Sequence, residues 1–148
     1  MRTEPLGLVL LDAPSCSDVK FDVSFLERNE HPVIVCRGPA VGQLCPLLGS
    51  TGCSKYEAAH GVVFELDLDR AQHRAILQRY RGLNPDIPIR VVVPADQTER
   101  FGDVLSDVQM WDHDPTVAEL DGFAAEVEAA DRFARVAESD TEHREDVR

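Results

Sequence analysis

Five short apolar runs punctuate the chain, each soon followed by proline, glycine or an acid: Leu6–Leu11, Pro32–Cys36, Gly61–Leu68, Ile87–Val93 and Val108–Trp111. A buried helix needs roughly ten or more residues, so runs this short read as strands. They are apolar on successive residues rather than alternate ones, which predicts cover on both faces, as in parallel sheets. Parallel neighbours require a crossover, and each gap between runs is long enough to hold one.

The gaps carry helical signals of unequal strength. Ser17 to Asn29 holds Val19, Phe21, Val23, Phe25 and Leu26. That spacing fits a helix imperfectly and would also fit a strand from Val19 to Phe25; helix is the preferred reading. Residues 38–60 carry four glycines, two prolines and two cysteines, too many breakers for more than a short helix over Ser54–His60. Asp69 is the expected N-cap of a helix from Arg70 to Gly82, with Ala71, Ala75, Ile76, Leu77 and Tyr80 as its apolar stripe and Gly82 as its end. Pro94 and Asp96 open a short helix through Phe101, Val104 and Leu105. The clearest helix begins at Thr116, where Thr116 and Glu119 match a capping box, and reaches Val136 through Leu120, Phe123, Ala124, Val127, Ala130 and Phe133. Residues 137–148 hold five acids and two arginines and are expected to form a flexible acidic tail or a frayed helix.

Strands alternating with helices predict a single α/β domain over residues 1–136. The expected architecture is a three-layer α/β/α sandwich with a five-stranded parallel sheet in flavodoxin-like order. Sites in such sheets lie at the carboxyl ends of the strands. Those ends carry Asp12, Cys36, Glu65, Asp67, Asp69, Asp112 and Asp114, and the acids among them could form one cation-binding mouth. The alternative is that they are helix caps and solvated loop acids.

Charge narrows the partners. Acids outnumber bases 27 to 15 in 148 residues, a formal net charge of −12. A broad phosphate-binding surface needs clustered Lys and Arg, so direct nucleic-acid binding is not expected. No apolar run approaches the roughly 18 residues of a membrane span. Glu4 and Asp12 flank the first run, unlike a secretory signal. The expectation is a cytoplasmic protein without membrane contact, in which Cys16, Cys36, Cys45 and Cys53 are reduced thiols. Cys36, Cys45, Cys53 and His60 are candidates for a metal or redox site, although zinc sites usually show tighter cysteine pairs. A Cys45–Cys53 disulfide is a further option. His31 and His73 lie near element boundaries and are expected at the surface. His113 sits between two aspartates without a nucleophile nearby in sequence. Ser15, Ser17 and Ser24 show no nucleophile elbow, and GPAVG at 38–42 is neither a P-loop nor a dinucleotide fingerprint.

Three stretches together resemble the receiver domain of bacterial response regulators over residues 6–136. LVLLDAP is similar to the first strand with its acid, ILQRYRGLNPDIPIRVVV (76–93) to the helix, turn and fourth strand, and WDHDPT to the last strand and its proline turn. The resemblance implies an acidic pocket that binds Mg²⁺ and takes a phosphoryl group onto an aspartate, at Glu65 or Asp67 here. The family also places a hydroxyl after the fourth strand and a lysine before the proline after the fifth. This sequence departs from that pattern: Ala13 follows Asp12, Val93 and Pro94 follow the fourth strand, and Asp114 precedes Pro115. The resemblance with these departures implies a pseudo-receiver, a non-enzymatic regulatory module. It would act independently of phosphorylation through contacts with a protein partner or a second copy. The alternative is a metal- or redox-responsive protein using the cysteine loop, with Mg or Zn as candidate ions. An enzyme of unknown chemistry is the weakest reading, for want of a nucleophile–base pair or cofactor signature.

Overall fold

The computed structural model describes residues 7–13, 20–39, 42–49, 52–83, 86–106 and 108–146, with side chains described as far as residue 133. Cys16, Ser15 and Ser17 lie outside the described residues. The five apolar runs form β1 (Val9–Asp12), β2 (Val33–Cys36), β3 (Gly61–Phe64), β4 (Ile89–Val92) and β5 (Gln109–Trp111). They make one sheet in the order β2-β1-β3-β4-β5, and every pair is parallel. Register follows the burial pattern, with Asp12 opposite Cys36 on one side and Phe64 on the other. The expected α/β sandwich with a five-stranded parallel sheet is therefore present.

Among the described residues, five α-helices lie between the strands, α1 (Lys20–Arg28), α2 (Ser54–Ala58), α3 (Ala71–Leu83), α4 (Ala95–Arg100) and α5 (Gly102–Leu105), and α6 (Val117–Asp146) follows β5. The strand period of two divides the core. Val9, Leu11, Ala13 and Val63 pack against Leu26 of α1 and Leu120, Phe123, Ala124 and Val127 of α6. Leu10, Val62, Phe64 and Val91 pack against Tyr56 of α2, Ile76, Leu77 and Tyr80 of α3 and Val104 and Leu105 of α5. Each fully buried large side chain contributes about 1.5–3 kcal/mol relative to exposure. Gly61 begins β3 directly beneath α6, where a Cβ would stand 2.4 Å from Val127 Cγ2. Close approach, not backbone freedom, explains that glycine.

Several local expectations are corrected. Gly82 does not end α3, which runs on to Leu83. Asp69 does not cap it, since α3 begins at Ala71; its carboxylate pairs with Arg100 of α4 instead. The helix expected after Pro94 is two short ones joined at Phe101, whose ring lies 5.4 and 5.0 Å from the Arg74 and Arg100 guanidiniums. The backbone of α6 continues past Val136, since neither glycine nor proline follows Gly122 to stop it. His31 and His73 are not surface residues but are 1% and 2% exposed. Each bonds a backbone group, the Gly7 carbonyl in the interior and the part-buried Asp67 N–H. His31 Nδ1–H donates to the Gly7 carbonyl at 2.9 Å, and His73 Nδ1 accepts the Asp67 N–H at 3.0 Å.

Candidate functional site

Alternation along β1 turns Leu10 and Asp12 toward α3. Asp12 is 1% exposed, and its Oδ2 accepts a 2.6 Å hydrogen bond from the Tyr80 hydroxyl. Tyr80 is fixed from two sides: the Tyr56 ring stacks on it at 4.5 Å, and Phe64 meets its edge at 6.4 Å. The Tyr56 hydroxyl also donates to the Tyr80 carbonyl at 3.0 Å. The other Asp12 oxygen, Oδ1, is buried and has no hydrogen-bond partner among the described residues. Burial pushes the Asp12 carboxyl up to about 6, against the opposing pull of the Tyr80 hydroxyl, the Cys36 thiol and the Lys55 ammonium. Burial and the adjacent carboxylate likewise hold the Tyr80 phenol far above its ordinary range.

The segment between β2 and α2 supplies the other wall. Gly38 and Gly52 turn the chain at φ +79° and +73°, a region that favours glycine. Gln72 of α3 ties the segment down: its Oε1 accepts the Cys45 N–H at 2.6 Å and its Nε2 donates to the Gln43 carbonyl at 2.9 Å. Between this segment and the sheet lies a cavity of about 350 Å³. Asp12, Cys36, Cys45, Cys53 and Tyr80 line it with apolar neighbours such as Leu10 and Leu66. All three of these cysteines are free thiols, so the Cys45–Cys53 disulfide is not formed. Burial pushes the Cys36 and Cys45 thiols up, which keeps them protonated and weakly nucleophilic at neutral pH.

The remaining candidates go elsewhere. His60 stands at the opposite end of the sheet from the cysteines, where its Nδ1 accepts the Leu8 N–H at 3.0 Å and its Nε2 faces Asp131 at 3.3 Å. Glu65 follows β3 directly, and its N–H donates to the Asp12 carbonyl at 2.7 Å. Asp67 is exposed, and its Oδ1 accepts the Asp69 N–H at 2.9 Å. Asp69 belongs to Arg100. Asp114 acts on Asp22 of α1: burial first, and Asp114 second, push the Asp22 carboxyl up to about 6. Asp112 and Glu119 both hold His113, at 2.7 and 2.8 Å, and raise its affinity for a proton. Glu119 also accepts the Thr116 N–H at 3.0 Å, completing the capping box. The strand-end acids thus do not form a common mouth. No group of three or more His, Cys, Asp or Glu able to hold a metal occurs among the described residues. A more open hollow of about 550 Å³ lies at the other end of the strands, but its guanidiniums are engaged, Arg81 by two backbone carbonyls and Arg90 by Glu126.

Sequence reasoning missed Tyr80 and Lys55 as neighbours of Asp12, and Tyr56 as the ring that fixes Tyr80. A usable signal existed for Tyr80: a tyrosine on an apolar helix stripe needs a polar partner for its hydroxyl, and Asp12 is the acid on the strand beneath.

Solved structures with this architecture include response regulator receiver domains. A receiver domain protein from Clostridium thermocellum superposes with a TM-score of 0.61 at 10% identity, over 89% of this chain and 99% of its own. A CheY-like receiver domain protein from Methanospirillum hungatei JF-1 gives 0.58 at 13% identity, over 86% and 98%. The chain has the receiver fold. An adenylate cyclase structure from Rhodopirellula baltica shares it too, at a TM-score of 0.61 and 9% identity, over 93% and 98%. The sequence matches no family model and no curated protein significantly.

A receiver's Mg²⁺ does not fit the residues present. Asp12 is turned under Tyr80, and Ala13 fills the neighbouring place. Val93, buried at 2% exposure, follows the fourth strand where the receiver pattern has a hydroxyl. Asp114 adds negative charge where that pattern has a lysine.

Proposed function

We propose that this chain is a regulatory interaction module on a receiver scaffold that works without phosphotransfer. The carrying observation is Asp12, whose Oδ2 accepts from the Tyr80 hydroxyl and whose carboxylate is shielded from solvent, with no second acid converging on it among the described residues. Hard oxygen ligands must converge to hold Mg²⁺ and offset charge on a phosphoryl group. Glu65 lies one residue past β3, and Asp67 accepts the Asp69 N–H in the turn that follows. Output then comes through protein contacts, with a partner or a second copy. Exposed Met110 on edge strand β5 and Val117 and Phe133 on α6 are apolar groups available to such a contact. No helix among the described residues is long and apolar enough to cross a membrane.

Incubation with Mg²⁺ and acetyl phosphate tests this reading by intact mass. The expected result is no added phosphoryl group. Acid-labile phosphate on Glu65 or Asp67 overturns it.

Three free thiols on one cavity wall favour a second reading, a redox-responsive protein. Thiol counting with and without reductant, beside metal analysis of the purified protein, separates the two. Oxidant-dependent loss of thiols at Cys36, Cys45 and Cys53 supports the second reading.

A further inference from the structure

We propose that the cavity between residues 43–46 and 52–55 and the sheet binds a small primary amine with an apolar body, its ammonium seated on Asp12 Oδ1. The volume of about 350 Å³ suits a small molecule. Leu10, Leu44, Leu66 and Ile76 offer the body an apolar surround. The head group is selected by Asp12. An ionised carboxylate can accept about four hydrogen bonds, and Tyr80 supplies one, to Oδ2. Oδ1 has none, and the neighbouring Cys36 thiol is a weak donor. Buried charges are paired and hydrogen-bonded in stable structures, and a carboxylate with one buried oxygen left without a hydrogen bond favours a cationic donor. Lys55 of α2 also lines the cavity and acts on Asp12 through space, without a hydrogen bond to it, so Oδ1 is open to a ligand's donor. Anions and phosphates are excluded by the same carboxylate. A metal ion is disfavoured because no three ligating side chains converge among the described residues.

This site adds a small-molecule input to the regulatory reading and does not depend on it. Amine binding is read without a partner, and phosphoryl transfer is read without an amine.

The test compares phenethylamine with 2-phenylethanol and propylbenzene, three probes of one shape, on the whole chain at about pH 8, where the carboxyl is ionised. One readout is the melting temperature. The other is peptide-resolved alkylation of Cys36, Cys45 and Cys53 by iodoacetamide, which a bound ligand slows. Phenethylamine is expected to protect the thiols saturably, at about tenfold or more lower concentration than the alcohol, since charged hydrogen bonds carry that margin. Asp12→Asn, which still offers Tyr80 an acceptor, is expected to erase the preference for the amine. Equal potency of amine and alcohol on the wild-type protein overturns the proposal, as does an unchanged preference in Asp12→Asn. Absence of saturable protection by any probe also overturns it. The wild-type comparison decides alone if the variant does not fold.

Discussion

The two faces of the sheet are built from the same strands and closed in different ways. On one, α1 and α6 lay Leu26, Leu120, Phe123 and Val127 onto Val9, Leu11 and Val63, all 0% exposed. On the other, α3 covers Phe64 and Val91, but over β1 and β2 the cover is a glycine- and proline-rich segment with a five-residue helix. A helix delivers a side chain to the sheet at every turn. A segment turned by Gly38 and Gly52 delivers fewer, and the space left over is the cavity beside Asp12. The closed face is where stability resides, and the loosely covered one is where a polar group is tolerated and a ligand can be admitted.

The largest expected effect is on the closed face. Phe123→Ala should cost about 3–5 kcal/mol in urea unfolding, because the ring meets Trp111 and nothing can collapse into its place. A loss below about 1 kcal/mol would erase the distinction between the faces.

The second effect belongs to Asp12 and has a definite sign. Its folded pKa of about 6 lies above the unfolded 3.8, so the folded state holds the proton more tightly. Stability from this group is complete below about pH 4 and is lost as pH rises through 6. The groups facing Asp12 are Tyr80 from α3, Cys36 from β2 and Lys55 from α2. Asp12→Asn should reduce the stability difference between about pH 4.5 and pH 8 by about 2 kcal/mol, leaving the same-signed share of Asp22. An identical pH profile in the variant would refute the burial of this charge.

Two glycines give a smaller, opposed pair. Gly61→Ala should destabilise by about 1–3 kcal/mol, since its Cβ would meet Val127 on the closed face. Gly82→Ala, on α3 with nothing within 4 Å of its Cβ, should stabilise by about 1 kcal/mol. Both changes are read from the urea midpoint.

The smallest effect sharpens how α6 is anchored. Thr116→Ala removes the cap on the Glu119 N–H and should cost about 1 kcal/mol. Glu119→Gln should lower the His113 pKa, followed by NMR titration, because Glu119 is the first cause of its rise.

Strand and helix positions were legible because their signals are local. Each apolar run became a strand within its expected limits, except that β1 runs one residue past Leu11 to Asp12, and the capping box at Thr116 and Glu119 is made as read. Single side chains with long-range partners were not legible. Asp69 reads as a cap from its neighbours, yet its partner is Arg100 on α4. His31 and His73 look like surface residues by position, yet each is buried and bonds a backbone group. His60 seems to complete a cysteine series, but β3 carries it to the opposite end of the sheet, beside Leu8 and Asp131.

The order of apolar runs and breakers in the sequence determined that this chain makes a parallel five-stranded sheet with helical crossovers, because period and length are properties of neighbouring residues. Only the tertiary structure decided that Asp12 turns under Tyr80 and shares a cavity with three thiols. That choice depends on which face of β1 meets α3, and on how much of that face a broken loop can cover.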